Sequence, residues 1–285
     1  MIEPTTKQEI TWCPGCINFL IKQAVQQTMA ELIKEGAKKE DFVSVVGIGC
    51  ADKIFDYLDI SGINGLHGRT LPTALGVKMS NPNLRVLGFS GDGGAYNEGI
   101  DHLIHACRYN SDMTFIVHNN RIFALTTGQA TSTTEEKFKE KTNPQGVLDI
   151  PLNPIALALQ SGASFVARLN PFNLEENVKI LKQAINHKGF SFVEFLQPCL
   201  QFHNFSDFLK KNCYHIEPME LEEAIKKANE WNYNDQGKVP VGIFYKKERA
   251  TFEEKRELLK KLLEEKRGFY SQNSPRKILE QFSAG

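Results

Sequence analysis

The chain has 285 residues, 41% hydrophobic and 24% charged, with 34 Lys plus Arg balanced by 34 Asp plus Glu. These proportions are those of ordinary globular proteins and exclude a disordered chain, a collagen-like chain and a coiled-coil rod, while the length allows one large domain or two small ones. Zero net charge gives no electrostatic reason to coat nucleic acid or an anionic membrane.

No apolar run approaches the roughly 18 residues needed to cross a bilayer, and MIEPTTKQEITWCPGC lacks the basic and apolar regions of a secretory signal. Six cysteines are too sparse for a secreted disulfide scaffold, so a cytoplasmic chain with reduced thiols is expected.

In chain order, Ile17, Leu20, Ile21, Ala24, Val25, Met29, Leu32 and Ile33 recur at steps that predict a helix, ended by Gly36. Phe42–Gly47 reads as a short buried strand. Thr70–Ser80 reads as a helix with Pro72 in its first turn, closed by Asn81-Pro82-Asn83. A strand over Leu84–Phe89 leads into Ser90-Gly91-Asp92-Gly93-Gly94, then a helix from about Asn97 to Tyr109.

Met113–His118 is the next strand, followed directly by Asn119-Asn120. Residues 129–150 are polar and predict a long surface loop. A helix at Pro154–Gln160, a strand at Ser164–Ala167, a helix at Leu174–Ile185 and a strand at Phe190–Phe195 complete the alternation. From Thr251 the tail is charged and helical, with Leu258, Leu259, Leu262 and Leu263 on one stripe.

Short apolar strands alternating with helices predict an α/β fold, an open and mainly parallel sheet with helices on both faces. Ligands of such sheets bind outside the carboxyl ends of the strands. Cys50, Gly91-Asp92-Gly93, Asn119-Asn120 and Cys199 each lie just past such an end, so they are expected on one rim. A glycine pair lets backbone approach a diphosphate, and the following helix offers unpaired N–H groups to it. Asp92 would repel a diphosphate unless a cation lay between, which makes it a candidate Mg²⁺ ligand. Asn120 supplies a neutral oxygen from the next strand end, and the Ile122 carbonyl is a third candidate. Alone, Gly-Asp-Gly is an ordinary tight turn; the second, matching strand end is what favours the metal.

Cys13-Pro14-Gly15-Cys16 suits zinc, a redox dithiol or an iron–sulfur cluster. With Cys50 and Cys199 it makes four thiolates, which fit either a closed zinc site or a [4Fe–4S] cluster. Their spacing does not separate the two, although a cluster beside a magnesium–diphosphate site would have the task of removing electrons. Cys107 lies on an apolar helix face and reads as core, and Cys213 has no partner at ligand spacing. His67, flanked by glycines before a helix start, is a candidate phosphate contact. Lys53 is a candidate for pairing with an anionic substrate, or else a surface lysine.

The segments WCPGC (12–16), GIGCADK (47–53), GLHGRTLPTALGVKMSNP (65–82), GDGGAYNEG (91–99), HNNRIFALTTGQATSTT (118–134) and QPC (197–199) resemble, in order, the β-subunit of 2-oxoacid:ferredoxin oxidoreductases. The resemblance covers roughly residues 10–205 and implies a thiamine-diphosphate-binding fold. It implies that Asp92, Asn120 and the Ile122 carbonyl hold Mg²⁺, and that Gly91, Gly93 and His67 contact thiamine diphosphate. Cys13, Cys16, Cys50 and Cys199 would bind a [4Fe–4S] cluster, with Lys53 near the substrate carboxylate.

The implied reaction converts a 2-oxoacid and coenzyme A to acyl-CoA and CO₂, with electrons leaving through the cluster to ferredoxin. 2-Oxoglutarate, a broad set of 2-oxoacids, or pyruvate are the implied substrates. A partner α-subunit would supply the activating glutamate and the coenzyme A site, so the chain alone is expected to be inactive. Ile17 stands where the family usually has glycine, and Gly94 where it often has aspartate. Two other readings of the residues are a non-redox thiamine-diphosphate decarboxylase subunit and a zinc-stabilised scaffold. Residues 1–205 are expected to form the cofactor-binding domain, and 206–285 a helical C-terminal extension packed on it or on a partner.

Overall fold

The computed structural model describes residues 5–266. Helix α1 (Asn18–Lys34) buries Ile21, Ala24, Val25, Met29 and Leu32, the stripe its periodicity predicts. Gly36 ends it with a φ of +108°, which a side chain would resist. Strand β1 (Phe42–Val46) is buried along its length, whereas β2 (Ser61–Asn64) is exposed throughout. Ser-Gly-Ile-Asn neither alternates nor runs apolar, so nothing local announces this strand; it pairs parallel to β1 at the sheet edge.

Next come α2 (Thr70–Ser80), β3 (Arg85–Gly91), α3 (Ile100–Tyr109) and β4 (Met113–Asn119). A π turn over Gly93–Asn97 precedes α3, which therefore starts later than Asn97. Strands β5 (Ile122–Phe123) and β6 (Gln129–Ala130) form a small antiparallel ribbon. The chain continues through α4 (Pro154–Gln160), β7 (Phe165–Leu169), α5 (Leu174–Asn186) and β8 (Phe190–Leu196).

Beyond residue 205 lie α6 (Ser206–Asn212), β9 (Cys213–Ile216), α7 (Leu221–Ala228), β10 (Val239–Lys246) and α8 (Glu257–Glu264). This segment thus contributes two strands as well as helices, and both strands join the main sheet. Its order is β2-β1-β3-β4-β8-β7-β10-β9, parallel except where β10 runs against β7. Pro240 and Gly242 interrupt the pattern of β10, and the pairing shifts register between Ile243 and Tyr245, so this strand is hard to read from its residues.

Helices α1 and α5 pack one face of the sheet around Ile21, Phe89, Leu181 and Phe195. The other face carries α2, α3, α4 and α7 over Leu71, Leu103, Phe115, Ile155 and Phe192. Each such side chain contributes about 1.5–3 kcal/mol by leaving water. Helix α8 buries Leu259 and Leu262 beside Phe252 and Leu75 and leaves Leu258 exposed. Leu263 is half-buried. The part of the expected extension beyond residue 266 lies outside the described residues.

Most of residues 135–150 lie at the surface as expected, but the start of the segment departs from that location. Thr131, Thr133 and Thr134 are buried, because their three hydroxyls find interior partners on the rim.

Candidate functional site

Strands β3 and β4 are parallel neighbours with Gly91 level with His118, so both end at the same height. That places Asp92 and Asn120, the residues just past the two ends, side by side. Asp92 is 1% exposed. Its Oδ2 accepts a hydrogen bond from Thr131 Oγ1 at 2.6 Å, and its Oδ1 accepts one from the Asn120 backbone N–H at 3.3 Å. Both donors are neutral. Burial outweighs them and pushes the carboxyl up to about 7.

Asn120 is clamped at both ends of its amide. Its Oδ1 accepts from the Ile122 N–H at 3.1 Å, and its Nδ2 donates to Gln197 Oε1 at 3.1 Å. Arg121, between them, adopts a left-handed φ of +62°, which costs a non-glycine residue about 1–2 kcal/mol. Its guanidinium offsets that strain. It is fully buried, donates to Asp235 Oδ1 at 2.7 Å and to the Tyr233 carbonyl at 2.8 Å, and lies 3.8 Å from the Phe205 ring centre.

Asp92, Asn120, Ile122, His67 and Cys50 line one cleft, together with Gly91, Gly93 and Gly94. His67 Nδ1 is 2.7 Å from Glu98 Oε2, which holds the ring against the cleft wall. A Cβ on Gly93 would come within 2.1 Å of the Phe123 ring, so only glycine fits there. A Cβ on Gly94 would stand 2.6 Å from Ser90 Oγ.

The structure also gathers the thiols. Cys13 is exposed, and Cys16, Cys50 and Cys199 are half-buried. Burial raises the Cys16 thiol, hydrogen bonds from Asn18 oppose it, and the charges of Cys199 and Cys13 raise it further. Cys50 is pushed up to about 11 by burial, against the pull of Lys53 and with the push of Cys16, Cys199 and Cys13. The four thiols are thus close enough to act on one another electrostatically. Among the described residues no three His, Cys, Asp or Glu side chains stand at the spacing of a single metal ion.

Lys53 is half-buried beside Cys50, with Nζ 3.4 Å from the Thr11 carbonyl it donates to. It stands on the thiol side of the cleft rather than beside Asp92. Ile17 has ordinary helical φ and is buried in the core, so glycine is not required after this CxxC; Gly15 takes the positive φ instead. Cys107 is fully buried as expected of core, and Cys213 packs against a small cluster around Leu196 and Trp231.

Several residues of the site carry no signal in the sequence. Thr131 lies in a run of threonines and serines that reads as a solvated loop. Asp52 is buried, accepts from the Gly47 N–H at 2.7 Å and is pushed up to about 6 by burial, with its second oxygen unpartnered. Behind the rim, Glu194 accepts from Asn119 Nδ2 at 2.9 Å and from Tyr96 at 3.1 Å, and pairs with Arg168 at 3.1 Å, both side chains fully buried. The clues to that network are two lone charges within apolar strands, Glu194 in β8 and Arg168 in β7.

Comparison with known proteins gives a consistent neighbourhood. Residues 47–195 match the family model described as thiamine pyrophosphate enzyme, C-terminal TPP binding domain. Residues 201–261 match the model for the C-terminal part of the pyruvate ferredoxin oxidoreductase β-subunit. The β-subunit of 2-oxoacid:ferredoxin oxidoreductase from Saccharolobus solfataricus is 39% identical over 264 residues, covering 86% of this chain and 84% of the relative. A 2-oxoglutarate synthase subunit KorB from Archaeoglobus fulgidus is 35% identical over 251 residues, covering 87% and 89%. Among solved structures, 2-oxoglutarate:ferredoxin oxidoreductase from Magnetococcus marinus, with 2-oxoglutarate, coenzyme A and succinyl-CoA bound, superposes with a TM-score of 0.84 at 29% identity. That match covers 97% of this chain and 94% of the other.

Proposed function

Because the chain belongs to the β-subunit family of 2-oxoacid:ferredoxin oxidoreductases and carries its thiamine-diphosphate-binding domain, we propose that it holds thiamine diphosphate, Mg²⁺ and a [4Fe–4S] cluster on one rim. On this reading it oxidatively decarboxylates a 2-oxoacid with coenzyme A and passes the electrons to ferredoxin. The observation that carries the reading is that Cys50, one of the four gathered thiols, lines the same cleft as Asp92 and Asn120. Cofactor and electron acceptor would then be neighbours within one chain.

The residues fit both groups. Asp92 is a buried carboxylate whose two partners are neutral, so a divalent cation supplies the charge its surroundings lack. Asn120 and the Ile122 carbonyl would complete an oxygen donor set. Gly91 and Gly93 would admit the diphosphate, and His67, held by Glu98, would donate to it. Cys13, Cys16, Cys50 and Cys199 form an all-sulfur set that suits iron and inorganic sulfide. Thiamine diphosphate, when bound, supplies the electron sink for loss of CO₂.

The protein's own work is placement. Thr131 and the Asn120 N–H orient Asp92, and Gln197 orients Asn120. Lys53 supplies a cation for the substrate carboxylate on the thiol side of the cleft. Ile48, Leu66 and Leu125 are exposed apolar residues, two of them lining the cleft itself. They suit a partner α-subunit that covers the rim and brings the activating glutamate and the coenzyme A site. 2-Oxoglutarate is the favoured substrate, on the names of the relatives, with a broader 2-oxoacid range as the other option.

The test is metal analysis and cofactor binding on anaerobically purified chain. About four iron and four sulfide per chain, with absorbance that bleaches on reduction, is expected, together with Mg²⁺-dependent binding of thiamine diphosphate. Stoichiometric zinc without sulfide would overturn the redox assignment.

A further inference from the structure

His203 closes the turn that carries Cys199 and reaches back from it to the oxygen site. Cys199 and His203 exchange backbone hydrogen bonds, each N–H donating to the other's carbonyl at 3.0 Å. His203 is buried, and its ring packs against those of Phe138 and Phe205, with centres 4.5 and 5.2 Å away. Nδ1 lies 3.1 Å from the Asn120 carbonyl oxygen, and Nε2 lies 2.8 Å from Glu135 Oε1. A carbonyl only accepts, so Nδ1 carries a proton and donates it there. A second proton joins Nε2 to Glu135, whichever of the two owns it.

The place of that carbonyl gives the contact its meaning. Asn120 and Ile122 flank Arg121, whose left-handed φ of +62° turns the chain just past the end of β4. The peptide joining Asn120 to Arg121 lies within this turn, and rotating it would move the Asn120 side chain on one side and the Ile122 carbonyl on the other. Its N–H, on Arg121, donates to Asn119 Oδ1 at 3.0 Å, and its carbonyl is held by His203. Glu135 closes the ring, because its Oε2 lies 3.4 Å from Arg121 Nη1 while its Oε1 meets His203. Two residues before Cys199, the Gln197 backbone N–H donates to the Asn119 carbonyl at 2.8 Å. The Cys199 segment thus grips the Asn119-Asn120 turn from both sides of the thiol.

We propose that His203 is a positioning residue of the oxygen site, its Nδ1–H fixing the peptide after Asn120 so that the Asn120 side chain and the Ile122 carbonyl keep the directions a Mg²⁺ ion needs. Outer contacts of this kind sustain metal affinity, because the ligands need no reorientation when the ion arrives. Glu135 acts at one remove, by orienting the ring. The inference rests on the reading of Asp92, Asn120 and the Ile122 carbonyl as Mg²⁺ ligands.

The two ring nitrogens can be tested apart. In His203→Asn the amide nitrogen takes the place of Nδ1 and the contact with Glu135 is lost. In His203→Gln it takes the place of Nε2 and the Asn120 carbonyl loses its donor. Calorimetry on the full, anaerobically purified chain with saturating thiamine diphosphate reads Mg²⁺ affinity, with iron content measured alongside. His203→Gln is expected to bind Mg²⁺ about tenfold more weakly with iron unchanged, and His203→Asn to bind it close to wild type. A merely structural role predicts no such rescue, so equal losses in the two variants, or wild-type affinity in His203→Gln, overturn the proposal. Should His203→Gln not fold, wild-type chain with nitrogen-labelled histidine decides. A ring N–H resonance that is missing from His203→Asn and shifts when Mg²⁺ and thiamine diphosphate bind supports the clamp; no shift overturns it. Wild-type chain that binds no thiamine diphosphate at any Mg²⁺ concentration would strike the underlying reading and the proposal with it, a result distinguishable from equal losses in the variants.

Discussion

At Asp92 both carboxylate oxygens and both ends of the neighbouring Asn120 amide are hydrogen-bonded and buried, whereas of the four thiols Cys13 is exposed and Cys16, Cys50 and Cys199 are half-buried. The oxygen site is built from the ends of two adjacent parallel strands, so its geometry is fixed by the sheet. The thiol site is assembled from an N-terminal turn, the loop after β1 and the loop after β8, with no shared element to hold it. The difference teaches how each would respond to its cargo. A preorganised carboxylate stores an unfavourable charge that a cation would relieve, while a thiol quartet would owe its final geometry to a cluster that tied it together.

The largest effects should fall on the two donor sets, and they should be separable. Cys50→Ser is expected to abolish iron and sulfide and to lower ferredoxin-linked turnover on the order of 100-fold or more, beyond the usual 10–100-fold range of outer-shell changes. Thiamine diphosphate binding, measured by calorimetry in the same variant, should survive. Loss of both would mean that the two sites are one cooperative unit.

Asp92→Asn should do the opposite, ending Mg²⁺-dependent cofactor binding while leaving iron content intact. It also has a stability signature. Asp92 holds its proton up to about pH 7 in the folded chain, against an ordinary value of 3.8. As pH rises between these values the unfolded chain releases that proton first, so the folded, metal-free protein loses stability over this window. Thermal melts should show this decline in wild type, a flatter profile in Asp92→Asn, and recovery of wild type with Mg²⁺ and thiamine diphosphate.

Next in size is the support beneath the oxygen site. Arg168→Met leaves the buried Glu194 carboxylate without its cation and is expected to cost about 3–5 kcal/mol in denaturant unfolding. Because Glu194 also holds Asn119, the loosening should reach cofactor affinity; a variant as stable as wild type would show that the rim does not lean on this pair. The smallest effect sharpens the comparison most. Thr131→Val keeps volume but removes the hydrogen bond to Asp92, and calorimetry should show Mg²⁺ affinity falling roughly tenfold. Iron content should not move.

How much of this was legible varied with the range of the interaction. The stripe of α1, the apolar strands β3, β4 and β8, and the residues just past their ends follow from periodicity and from the rule that open parallel sheets bind ligands at their carboxyl ends. Strand β2 was invisible because its four residues are exposed and patternless, and β10 was masked by Pro240 and Gly242. Both are strands only because a neighbour of the right register accepts them. Thr131 looked like solvent-exposed polar chain, and its burial depends on a carboxylate far back in the sequence.

By itself, then, the sequence determined the α/β alternation and the chemical inventory: one aspartate in a glycine turn, a paired asparagine, and four cysteines from three places. Those are local properties, carried by side-chain type and spacing. Tertiary structure alone decided that Cys50 would share a cleft with Asp92 and that Asp92 would be buried among neutral donors. Desolvation and hydrogen-bond direction depend on what packs against a group from elsewhere in the chain, and no stretch of sequence carries that information about its own surroundings.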